Sequence, residues 1–118
     1  MSQVVTQSGS ALLPYYVNDH GRDTLRSITV ASGSAVLVGG TVLAKRTAPS
    51  GSLNHYDAYS DASASGLNTA RGILHERVDP RNGPVLASLF THGVVRSGSL
   101  TGLDANAITD LRDEIQFV

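Results

Sequence analysis

The stretch PVLASLFTHGVVRSGSL, residues 84–100, constrains the fold more than any other part of the chain. It follows a turn signal, Pro80-Arg81-Asn82-Gly83, and is the richest β-region of the sequence. No apolar run here or elsewhere approaches the ~20 residues of a membrane span. Extended, this stretch puts Leu86, Ser88, Phe90 and His92 on one face. Gly93 then permits a bend or a bulge. Composition agrees with a β-reading. Aromatics are four Tyr, two Phe and no Trp, and the large hydrophobes are mostly Val, Leu and Ile amid many small residues. That is the make-up of thin β-structure with many turns.

The remaining segments fall into place around that strand. Ile28 and Val30 alternate with Ser27, Thr29 and Ala31, which predicts a strand over 26–32. VLVGGTVLAKR, residues 36–46, carries two apolar runs around Gly39-Gly40, a hairpin or bend signal. APSGS at 48–52 is a turn or loop, LNHYDAYS alternates weakly as a strand would, and residues 60–68 read as an exposed loop. ARGILHERVD, residues 70–79, reads as a strand carrying polar residues to a surface or a subunit contact. Asp104 is a good N-cap, and Ala107, Ile108, Leu111 and Ile115 recur at helical spacing. This predicts a helix over 105–113, followed by a short strand at 115–118. Residues 1–26 lack a continuous period and read as an arm, with the body at 27–118; a terminal strand of the main sheet is the alternative.

Bulk properties narrow the function classes. A chain of 118 residues suits one domain, and its net charge of −1 gives no global bias toward nucleic acid or anionic membrane. The absence of cysteine excludes a disulfide framework, a thiolate nucleophile and a Cys-ligated metal. The first residues lack a basic region and a long apolar stretch, so no ordinary secretion signal is expected.

Four constellations could carry chemistry. A phosphate loop needs Gly-Lys-Ser/Thr after four spacer residues, but Lys45 lies five residues beyond Gly40, and Thr41-Val42-Leu43 reads as a strand. His75, Glu76 and Asp79 approach a zincin-like spacing, which works on a helix. On a strand, positions four apart lie about 13 Å from one another and cannot share an ion. GSLTG puts Leu100 where a nucleophile elbow needs serine, and His20, His55, His75 and His92 are scattered with no paired spacing. Eight arginines against one lysine suit bidentate contacts at protein interfaces, or reflect compositional bias. No catalytic, metal-binding or cofactor-binding residue is therefore assigned, and no cofactor is expected.

The order of landmarks carries a resemblance. Gly40-Thr41-Val42-Leu43, then Ala70-Arg71-Gly72-Ile73-Leu74, then the β-pair centred on Gly93, then the late helix and terminal strand, resemble the lambda-type head decoration proteins of tailed phages. The resemblance covers residues 27–118; residues 18–26 hold no landmark. It implies a mainly β fold with short helices (α+β), a β-tulip-like domain with an extended N-terminal arm and a late C-terminal helix. It implies a structural virion protein and not an enzyme. Such a protein sits as a homotrimer on the outer surface of the expanded head, at three-fold and quasi-three-fold positions, and holds the capsid against internal DNA pressure. Its partners would be the major capsid protein and itself, without direct contact to nucleic acid or membrane, after assembly in the host cytoplasm. The arm would add a strand to capsid elements, and Gln3, Val4, Val5, Thr6 and Gln7 are the candidate residues. An extended arm of ~20 residues spans about 65 Å, well beyond its own body. The alternatives are a small β-barrel module for a ligand or nucleic acid, and a metal-dependent hydrolase using His75 and Asp79. The first needs a basic or aromatic groove, of which the sequence supplies little.

Overall fold

The computed structural model describes residues 16–17, 24–33, 35–47, 53–63 and 65–118. Five of the seven described strands close a barrel. Strand β1 is Tyr16–Val17, β2 Thr24–Val30, β3 Val42–Lys45, β4 Tyr56–Ala58, β5 Ala70–Leu74, β6 Val85–Val95 and β7 Ile115–Phe117. Among the described residues one short α-helix, α1, spans Ala105–Leu111, and 3-10 turns occupy Pro80–Asn82 and Ser97–Ser99.

The long strand β6 organises the rest. Along one side it pairs antiparallel with β2, from Thr24↔His92 to Val30↔Val85. Along the other it pairs with β5 through Ile73↔Phe90 and Leu74↔Leu89. Strand β5 pairs with β3, β3 with β4, and one parallel pair, Val30↔Tyr56, joins β4 back to β2. The circuit β6-β2-β4-β3-β5 is therefore closed. At Gly93, whose φ is 143°, β6 leaves the barrel. Gly93–Val95 form a second small sheet, with β7 parallel on one side and β1 antiparallel on the other. The glycine is needed because side-chain-bearing residues rarely adopt that φ.

Period-two alternation buries both faces of the central strands, and so makes two cores. Inside the barrel, Ile28, Val30, Leu43, Leu74 and Leu89 pack together, with Tyr56 and Val85 against them. Their immediate neighbours point outward. Val42, Ala44, Ile73 and Phe90 meet Ala107 and Leu111 of α1, Ile115 of β7 and Val95 in the second core. This explains why the runs Val42–Ala44, Ile73–Leu74 and Leu89–Phe90 are continuously apolar. Gly72 permits the close approach of β5 to β6. A Cβ there would lie 2.7 Å from Leu89 Cγ and 2.8 Å from the Phe90 carbonyl oxygen.

Helix α1 forms where capping and apolar spacing coincide. The Asp104 carboxylate accepts the Ala107 N–H at 2.8 Å, and Ala107 and Leu111 are the buried positions. The expected helix and terminal strand are both present, each slightly shorter than the 105–113 and 115–118 of the sequence reading. Strand β2 starts at Thr24, upstream of the residue-26 boundary between arm and body.

Three local expectations are corrected. The first apolar run at Gly39-Gly40 is not a strand. Leu37 makes an isolated bridge to Val78, with N–H···O distances of 3.0 and 2.9 Å in the two directions. Of the hairpin and the bend that the glycines signal, the bend is what forms. Gly40 has φ 93°, and the Thr41 N–H and hydroxyl donate to the Val38 carbonyl at 3.2 and 2.7 Å. The chain before that turn and the chain after it have different partners. Next, the strand expected to continue through His75–Asp79 ends at Leu74; Val78 bridges instead to Leu37, and Asp79 caps the following turn. Last, Leu86, Ser88, Phe90 and His92 do share alternate positions, but Phe90 alone of the four is buried, and Leu86 is 81% exposed. On this face of β6 the second core covers Phe90 and leaves Leu86 in solvent.

Candidate interaction surface

The proposed arm residues Gln3, Val4, Val5, Thr6 and Gln7 lie outside the described residues. What is described is the root of that segment. Tyr16 and Val17 pair with Val95 and Val94, so the chain enters the protein along the small sheet. Residues 24–26 then run directly into the barrel.

The sequence candidates for chemistry are dispersed by the fold. His55 lies in the β3–β4 connection, His75 follows β5, and His92 sits on the exposed side of β6; His20 is outside the described residues. Among the described residues, no three of His, Cys, Asp and Glu come together as metal ligands would. Asp79 has a different task. Its carboxylate accepts the Arg81 backbone N–H at 3.1 Å and the Arg81 guanidinium at 2.8 Å. Those hydrogen bonds, side-chain first, hold its pKa down at about 2. The residue fastens the Pro80–Asn82 turn and Arg81 occupies both of its oxygens.

A second carboxylate cluster ties the barrel to the helix. The Tyr59 ring is buried just after β4, and its hydroxyl donates to Asp104 Oδ1 at 2.9 Å. Asp61 Oδ1 lies farther off, at 3.4 Å. Asp104 thus caps α1 and receives Tyr59 with the same oxygen. Burial first, then the hydrogen bond and negative charge of Asp104, push the Tyr59 hydroxyl pKa upward. Asp110 adds a third tie by accepting the Ala70 N–H at 2.9 Å. The Asp104 cap is legible in the sequence. Tyr59 is not, because its partner stands 45 residues away.

Two connected hollows face solvent near the closure of the barrel. A mouth of about 540 Å³ is bordered by Arg26, Lys45, Tyr56 and Arg71, with Asp110 and Glu114 from the end of α1. A groove of about 310 Å³ continues from it along β2, past Ser27, Thr29 and Leu86. Arg26, Lys45 and Tyr56 border both. On the opposite face of the same β3–β4 pair, Arg46 Nη2 donates to Asp57 Oδ2 at 2.6 Å.

The described molecule is therefore a small barrel with a second, external core and a solvent-facing strand edge. The family model for bacteriophage lambda head decoration protein D matches residues 9–115. The match takes in nearly all of the barrel, the helix and the small sheet, and the chain belongs to this family. Membership makes it a phage head decoration protein with a structural role on the capsid of the virion. The match begins well upstream of residue 27, so it also takes in the stretch 18–26 where the sequence held no landmark. No curated protein and no solved structure matches the chain significantly.

Proposed function

We propose that this protein binds the outer surface of the expanded phage head as a homotrimer. It sits at three-fold and quasi-three-fold positions and stabilises the shell of major capsid protein against internal DNA pressure. The segment ahead of β2 acts as the arm, and Gln3, Val4, Val5, Thr6 and Gln7 add a strand to the capsid protein. The family match carries this reading. The pairing of Tyr16–Val17 with the end of β6 supports it, because it anchors the root of the arm on the small sheet. Backbone hydrogen bonds of an added strand give affinity with little demand on sequence. Three arms on one trimer would multiply that affinity through effective concentration.

The test is removal of residues 2–13, which spares Tyr16 and Val17. The truncated protein should keep its β-rich circular dichroism and fail to cosediment with expanded capsids. Undiminished cosedimentation would refute the arm. Sedimentation equilibrium of capsid-bound and released protein, together with cryo-electron microscopy of decorated heads, tests the trimer and its positions.

A further inference from the structure

The barrel closes through a single residue pair between β2 and β4, Val30↔Tyr56. Backbone groups along a strand alternate sides. The Ala31 N–H donates to the Tyr56 carbonyl at 2.8 Å, so Thr29, Ser27 and Leu25 direct their backbone groups to that same side, away from β6. Toward the start of β2, no described strand lies against this edge. Leu25, Arg26 and Ser27 are all exposed.

We propose that this edge, Leu25 to Thr29, is a docking site for an extended acidic segment of a partner polypeptide, which adds to the barrel as a further strand. The proposal is independent of the arm: there the protein donates a strand, and here it accepts one.

Charge argues for the occupant. Arg26 and Lys45 border the groove, and neither forms an ion pair with a described residue. Among the described residues, no acidic side chain borders the groove itself. The adjoining mouth holds two carboxylates, Asp110 in the last turn of α1, already engaged by the Ala70 N–H, and Glu114 beyond the end of the helix. Arg26 shares the alternation of Ile28 and Val30, and Lys45 that of Leu43, so both cations belong to the barrel-facing side. Acidic side chains at alternate positions of an added strand would meet them. Its other face would meet Leu25, 48% exposed, and Leu86, 81% exposed. Residues 1–18 of this chain carry no Asp or Glu, so the part of its own arm ahead of Asp19 and Asp23 lacks the complementary charge. The same two cations repel a basic segment, which makes the edge selective.

The test uses full-length protein and a labelled, end-capped peptide, Thr-Glu-Val-Glu-Val-Glu-Thr, read by fluorescence anisotropy. No capsid is present, so the outcome is separate from that of the arm truncation. Saturable binding is expected, weakening as salt rises, with hydrogen-exchange protection appearing at the Leu25, Ser27 and Thr29 amides. The Ser27→Pro variant removes one outward N–H and spares the bonds to β6; it should weaken binding by about tenfold or more. The double variant Arg26→Glu with Lys45→Glu leaves the backbone untouched and should abolish binding. The idea is overturned by absence of binding at millimolar peptide, or by equal binding of a peptide with lysine for glutamate. It is also overturned by concentration-dependent protection of these amides in the protein alone, which would put a second copy on the edge.

Discussion

Tyr59 and Asp104 should be energetically coupled, and the size of that coupling follows from their geometry. The Tyr59 ring is 6% exposed, so its hydroxyl has little access to water apart from its partner. Asp104 is exposed and keeps part of its hydration. A hydrogen bond to a charged group contributes about 1.5–3 kcal/mol, and the exposed acceptor favours the low end, so Tyr59→Phe should cost about 1.5 kcal/mol. Asp104→Ala removes the helix cap, about 1 kcal/mol. It also leaves the Tyr59 hydroxyl with only the 3.4 Å approach of Asp61, a further cost of about 1–3 kcal/mol. In the Asp104→Ala background, Tyr59→Phe should then be close to neutral. A urea-denaturation double-mutant cycle should give a coupling of about 1.5 kcal/mol, and each kcal/mol lost should lower Tm by roughly 3–6 °C. The pH dependence has a definite sign. The folded-state pKa of Tyr59 is raised above the ordinary value of about 10, so its contribution is fully present below pH 10 and is lost as pH rises beyond it. The Tyr59→Phe variant should lose less stability than the native protein above pH 10. Equal cost of Tyr59→Phe in both backgrounds would refute the shared-oxygen lock.

Gly72→Ala should destabilise by about 1–3 kcal/mol by overpacking. A Leu89 rotamer change cannot relieve the 2.8 Å approach to the Phe90 carbonyl oxygen, and an unchanged urea midpoint would contradict the contact. Asp79, held at about 2 by Arg81, contributes stability above its unfolded-state pKa near 4 that is lost as pH falls toward 2. Asp79→Asn should flatten that acid limb in pH-dependent melting, with little change at pH 7 beyond the loss of the Arg81 ion pair.

The sequence by itself determined what is local. Helix α1 was legible because its cap, Asp104, and its buried residues, Ala107 and Leu111, lie within seven positions of one another. The turn at Gly40 and the bend at Gly93 were legible because few other residues adopt the positive φ that each requires. The strand character of Ile28–Val30 and of Val85–Val95 followed from alternation and β-branched content. The family resemblance rested on the order of these same local signals.

Tertiary structure decided partners and closure. Leu37 looks like a strand residue, but its partner, Val78, could not be read from residues 36–46. Both faces of Leu43–Ala44 and Leu89–Phe90 are apolar, and only closure of the barrel assigns one face to its interior and the other to the core beneath α1. Tyr59 finds Asp104 across 45 residues of chain. Among the described residues, the edge of β2 ahead of Val30 has no partner strand because β4 is three residues long and meets β2 at Val30 alone. Local signals set which backbone conformations are cheap; pairing between distant segments is set by loop closure and by which apolar faces can be buried together. The first is written residue by residue, and the second is a property of the folded chain as a whole.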